Sequence, residues 1–230
     1  MNDKSRIIIA ADNMDLHVCR SLARRTGHLV HAIKINDVFD NGGIEIVEDL
    51  RNLSVRVWVD VKLHDIPNTV KNRTAILDAA GADIITVHAL GGIEMMAAAV
   101  EAAKGGAKIY AVTVLTSHNE AYVESMFGRT VDQQVIKLAL MAQEAGVHGL
   151  VCSPKEVEML RDYPQLDSLV LATPGVRSVG ADVGDQKRVD TPRAAIEGGA
   201  NYIVVGRQVT EAPDPVAALK AIETEIADVV

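Results

Sequence analysis

Apolar residues fall along the chain in short Val/Ile-rich runs, separated by stretches with the three-to-four spacing of an amphipathic helix. The runs predict strands over 6–12, 30–36, 55–62, 83–89, 107–115, 148–152, 168–173 and 201–206. Helical patterns occupy 15–26, 42–52, 68–80, 92–104, 130–145, 154–162, 192–198 and 214–228. Strands that stay apolar on consecutive positions need cover on both faces. Their strict alternation with helices implies a parallel sheet joined by right-handed crossovers. Eight such units in 230 residues fit an α/β chain folded as one (β/α)8 TIM barrel over 1–230. A doubly wound open sheet is the alternative that strand counting leaves open.

Two connections are long for such a barrel. One runs from Thr116 to about Arg129. The other runs from Thr173 to Thr191 and carries Gly175, Gly180 and Gly184. Loops of this length at a barrel mouth are either lids or plain surface loops.

Barrel chemistry sits at the C-terminal strand ends. Asp12 ends strand one and Lys34 lies near the end of strand two. Asp60 and Lys62 end strand three, with Asp65 in the next turn. His88 ends strand four, Thr116 and Ser117 end strand five, and Gly206-Arg207 end strand eight. Scattered surface charge would not choose that rim on so many strands. Alternation puts Trp58, Asp60 and Lys62 on one strand face and Val57, Val59 and Val61 on the other. The valine face packs on helices, so Asp60 and Lys62 look into the mouth. An ammonium held between carboxylates is a poor Schiff-base nucleophile but a placed proton donor. Asp12 and Lys34 extend this into an alternating chain of charges, and a structural ion-pair cluster is the competing reading. Gly206-Arg207 after strand eight suits a phosphate, with backbone N–H groups and a bidentate guanidinium. Gln186 is placed to close over the same anion.

Composition narrows the partners. The balance of 23 basic against 31 acidic side chains, net −8, argues against a nucleic-acid or anionic-membrane surface. Only 3% of residues are aromatic, too few for base-stacking platforms. No apolar run reaches the roughly 18 residues a membrane helix needs. The start, Met1 to Ser5, leaves no room for a signal peptide. Cys19 and Cys152 form no CxxC pair, which suits a cytoplasmic chain. His17, His28, His31, His64, His88, His118 and His148 contain no HExxH pair. Of these, His17, His28, His31 and His148 read as structural. Asp15, Asp78 and Asp83 read as helix-boundary or surface carboxylates, Met95-Met96 as core, and Cys152 as a buried thiol on strand six.

Asp60-x-Lys62-x-x-Asp65-Ile66-Pro67-Asn68-Thr69 resembles the signature of the orotidine 5′-monophosphate decarboxylase family. Val87-His88-Ala89-x-Gly91-Gly92 and Ala111-Val112-Thr113-Val114-Leu115-Thr116-Ser117 are similar to its strand-four and strand-five segments. Thr173-Pro174-Gly175-Val176-Arg177, Gly184-Asp185-Gln186-Lys187-Arg188 and Val205-Gly206-Arg207 resemble its phosphate-closing region. The resemblance covers nearly the whole chain. It implies a nucleotide substrate, orotidine 5′-monophosphate, converted to uridine 5′-monophosphate and CO2 in pyrimidine biosynthesis. Lys62 would protonate C6 as CO2 leaves, beside Asp60, with Lys34 holding Asp60 and the ribose and Asp12 binding ribose hydroxyls. Thr116 and Ser117 would face the pyrimidine, while Pro174, Arg177, Gln186, Gly206 and Arg207 would hold the phosphate. Asp65 and Thr69 would reach the neighbouring subunit's site in a homodimer. No metal and no organic cofactor is implied.

Two positions depart from the family pattern. Lys34-Ile35-Asn36-Asp37 replaces the usual Lys-Val-Gly, and His118 stands where a methionine is common. The rivals are magnesium-dependent sugar-phosphate decarboxylases and aldolases of the same superfamily, which carry a glutamate ligand where this chain has Lys34. A catalytically silent phosphometabolite-binding barrel is the reading from another class.

Overall fold

A computed structural model describes residues 2, 4–178 and 190–229. Eight parallel strands close in sequence order, with β1 hydrogen-bonded to β8. They are β1 (Ile7–Ala10), β2 (Ala32–Ile35), β3 (Val57–Leu63), β4 (Ile84–His88), β5 (Lys108–Val112), β6 (Gly149–Val151), β7 (Val170–Thr173) and β8 (Tyr202–Val205). The outer helices are α1 (Leu16–Thr26), α2 (Asp37–Asn52), α3 (Pro67–Ala79), α4 (Ile93–Ala102) and α5 (Glu120–Phe127), followed by α6 (Val131–Glu144), α7 (Val157–Arg161), α8 (Pro192–Glu197), α9 (Arg207–Thr210) and α10 (Pro215–Ile226). The barrel is the expected one, and the open-sheet alternative is excluded.

The strands are apolar on consecutive positions because both faces are buried. Ile8, Ala32, Trp58, Ile84, Tyr110, Ala172 and Val204 form one cluster inside the barrel. Their sequence neighbours, such as Ile9, Ile33, Val59, Ile85 and Ile203, belong to the larger layer shared with the helices. Helix starts follow ordinary capping chemistry. Asp15 caps α1 by accepting from Val18 N at 2.8 Å. Thr130 and Gln133 form a reciprocal capping box on α6. Pro67 opens α3 behind an extended Ile66.

Several expected boundaries move. The strands are shorter than the apolar runs, so Asp12 lies two residues past β1, and Thr116 and Ser117 lie in the loop after β5. The long connection after β5 contains α5, with Asn119 as cap and a left-handed Gly128 closing it. Helix α2 begins at Asp37 and is broken at Gly43 (φ 56°, ψ −143°), which is why the sequence shows only its second half from 42 onward. Cys152 is buried, one residue beyond β6 rather than on it. Met95 and Met96 are core. Asp83 accepts from Val57 N at 2.8 Å and pairs with Arg51, while Asp78 accepts from Gly105 N and Ala107 N. No helix among the described residues is long and apolar enough to cross a membrane.

Candidate active site

A cavity of about 630 Å3 opens at the C-terminal ends of the strands. One wall is a chain of alternating charges. Lys34, inward-facing on β2, reaches Asp12 Oδ1 and Oδ2 at 3.1 and 3.0 Å. The same Nζ lies 3.1 Å from Asp60 Oδ2, and Lys62 Nζ donates to that oxygen at 2.9 Å. Lys34 and Asp60 are 7% and 6% exposed, so neither charge is carried by solvent. Burial alone pushes Lys34 down, but Asp60 and Asp12 outweigh it and hold the lysine above its usual range. For Asp60 burial pushes up, and Lys34 with Lys62 outweighs it, keeping the carboxyl below its usual range. Both remain charged at neutral pH.

Strand alternation brings Trp58, Asp60 and Lys62 to the cavity as expected, but not by simple pleating. The β3–β4 register shifts between Val59 and Leu63, and Lys62 takes a left-handed backbone, φ 44°. A lysine there is uncommon and costs on the order of 1 kcal/mol. The bulge redirects the chain after Asp60 and aims Lys62 into the mouth.

The rest of the lining comes from the loops after β5, β7 and β8. Thr116, Ser117, Pro174, Arg177, Gly206 and Arg207 all line the cavity. Gln208 ties the β7 continuation to α9, since its Oε1 accepts from Ser178 N at 3.2 Å and its amide donates to Ser178 Oγ. Two guanidiniums thus share the cavity with the lysine–carboxylate chain. Gln186 lies outside the described residues.

Two expected residues are not in this barrel's cavity. Asp65 is exposed, and its Oδ1 accepts from Ile66 N at 2.7 Å. Lys62 therefore meets one carboxylate of its own chain, Asp60, rather than sitting between two. Thr69 lies further along, on α3. The structure also brings in residues the sequence analysis left aside. Asn13, with φ 59°, lines the cavity, and its N–H donates to Asp37 Oδ2 at 2.8 Å. Asp37, a departure from the family pattern, thereby anchors the loop that carries Asp12. An Asp-Asn pair after a strand, with asparagine tolerant of left-handed backbone, was the available signal. Cys152 lines the cavity too. Behind Lys62, the His64 and His88 rings stack at 5.4 Å. Burial, followed by His64, Lys62 and His118, pushes His88 down to about 4, and its Nδ1 accepts from Leu90 N at 3.3 Å.

A closed parallel barrel with buried acid–base groups and arginines at its C-terminal mouth defines a (β/α)8-barrel enzyme. Residues 5–222 match the family described as Orotidine 5'-phosphate decarboxylase / HUMPS, and the chain belongs to it. It is 47% identical to an orotidine 5'-phosphate decarboxylase of Streptococcus pneumoniae over 82% of both chains. Against that of Nitrosococcus oceani the identity is 41% over 99% of this chain and all of the other. The crystal structure of orotidine 5'-phosphate decarboxylase from Lactobacillus acidophilus superposes with a TM-score of 0.83 at 32% identity. That match covers 97% of this chain and 99% of that one.

Proposed function

We propose that this chain, as one catalytic barrel over 1–230, decarboxylates orotidine 5′-monophosphate to uridine 5′-monophosphate and CO2 in cytoplasmic pyrimidine biosynthesis. The observation that carries the reading is the Lys62–Asp60 contact of 2.9 Å in a cavity that Arg177 and Arg207 also line. The C6–carboxylate bond breaks and its electron pair stays on C6. Lys62 Nζ–H delivers a proton to that carbon, CO2 leaves, and the amine recovers its proton from water. Asp60, fixed in its charged form, lies against the departing carboxylate and favours its loss as neutral CO2. Asp12 and Lys34 hold ribose hydroxyls, Thr116 and Ser117 meet the pyrimidine, and Pro174, Arg177, Gln186, Gly206 and Arg207 hold the phosphate. The phosphate is remote from the breaking bond, so its binding energy serves to position the ring.

The reaction needs no metal on this reading. The Lys34 ammonium already bridges Asp12 and Asp60, and a divalent ion would have to displace it to reach those oxygens. The active unit is a homodimer in which Asp65 and Thr69 enter the partner's site. Supporting this, Asp65 is exposed and its neighbour Ile66 leaves an apolar side chain 66% exposed. Leu90, 41% exposed, follows His88, whose ring stacks on His64 beside Asp65.

The test is release of CO2 from orotidine 5′-monophosphate by the purified chain in EDTA. Undiminished release fits the proposal. Release that stops on chelation and returns with Mg2+ supports the metal-dependent rival, and binding without release supports a silent barrel.

A further inference from the structure

The barrel has a second mouth. At the N-terminal ends of β2–β8, opposite the catalytic cavity, lies a space of about 770 Å3. That volume falls in the range of roughly 300–1,000 Å3 typical of small-molecule sites. Its floor is the buried Tyr110, whose ring packs over Gly149. A Cβ at Gly149 would stand 2.8 Å from that ring. Tyr202 forms a second aromatic wall, stacked on His31 at 4.0 Å and 26°. Two of the chain's four tyrosines are thus spent on one cavity in a protein that is 3% aromatic.

The rim is basic although the chain carries net charge −8. Lys108, exposed and facing the barrel axis at the start of β5, has no ion pair among the described residues. Arg56 stands at the start of β3, its Nη1 donating to His31 Nδ1 at 3.2 Å. The carboxylate at this rim, Asp83, is already neutralised by Arg51 at 2.7 Å and bonded by Val57 N. His148 Nδ1 accepts from Ile109 N at 3.1 Å, so its neutral ring carries the proton on Nε2 as a further donor. Gln143 and Ser168 add polar groups. Cations that merely snorkelled to water would fill the mouth with their own stems. Here a ligand-sized space remains between them.

We propose that this N-terminal mouth binds a nucleoside monophosphate, its phosphate on Lys108 and Arg56 and its base against Tyr202. The site is separate from the catalytic cavity, since the interior layer of Ile8, Ala32, Trp58 and Ile84 lies between them.

The test is calorimetric titration of the full chain with adenosine 5′-monophosphate. Binding is expected to survive Arg207→Ala, which disables only the catalytic phosphate wall. It is expected to weaken at least about tenfold in Lys108→Glu and in Gln143→Glu, both exposed positions. Lys108→Glu should leave orotidine 5′-monophosphate turnover unchanged. No adenosine 5′-monophosphate binding, loss in Arg207→Ala instead, indifference to both rim variants, or equally tight inorganic phosphate would overturn the proposal.

Discussion

Lys62 Nζ lies 2.9 Å from Asp60 Oδ2, the oxygen that Lys34 also reaches at 3.1 Å. The two lysines do different work on that atom. Lys34 is buried and braced by Asp12, so it fixes the carboxylate. Lys62 sits on the bulge of β3 with its side chain partly open to the cavity, so its proton can reach a substrate.

The two arginines that line the cavity predict a division of binding energy. Arg207→Ala should lower kcat/KM for the nucleotide by two or more decades, roughly 2.7 kcal/mol, because a remote phosphate contact is expressed at the transition state. The phosphate-free nucleoside should be turned over as slowly by the variant as by the parent. Steady-state kinetics on both substrates check this. Equal losses on the two would remove Arg207 from phosphate binding.

The exposed Asp65 predicts complementation between subunits. Lys62→Ala and Asp65→Asn chains, each inactive, are unfolded together and allowed to reassort. A mixed dimer holds one site lacking both groups and one with Lys62 from one chain and Asp65 from the other. With random pairing half the dimers are mixed and half of their sites intact, so about a quarter of parental activity should return. If Asp65 served its own barrel, mixing would restore nothing.

Much of this arrangement was legible in the sequence because barrel strands carry a strong signal. All eight apolar runs became strands, and Asp12, Lys34, Asp60, Lys62, Thr116, Ser117, Gly206 and Arg207, expected at their ends, line one cavity, whereas His88 stacks on His64 outside it. What escaped was local backbone chemistry. Lys62 reaches the mouth through a bulge that period-two reasoning does not contain. Helix α5 was hidden because it is short and mostly exposed, buries only Val123, and is held by caps at Asn119 and Gly128. Helix α9, four residues long, is below the length at which helical spacing shows. Asp65 leaves its own barrel at the Ile66-Pro67 turn and faces solvent, so the second carboxylate that closeness in sequence offered Lys62 is absent from the cavity.

The burial of His88, with His64 stacked on it, predicts an acid-side loss of stability. An unfolded histidine titrates near pH 6.5 and folded His88 at about 4, so between these values the unfolded chain binds more protons. Stability therefore falls as pH drops through that window and is fully present above it. His88 is partly exposed, and solvent screening reduces its contribution to on the order of 1 kcal/mol. Denaturant melts at about pH 7.5 and pH 4.5 should show a smaller difference in His88→Asn than in the parent. Identical pH dependence would show that the ring's burial does not act this way.

The central claim is that Lys62 supplies the proton that ends up on C6. Turnover of orotidine 5′-monophosphate by Lys62→Ala, measured together with its affinity for uridine 5′-monophosphate, tests it most directly. Asp60 keeps Lys34 at 3.1 Å in that variant, so the cavity should survive and product affinity should stay within about tenfold, roughly 1.4 kcal/mol. Nearly all turnover should be lost. Near-parental turnover in the alanine variant would contradict the assignment.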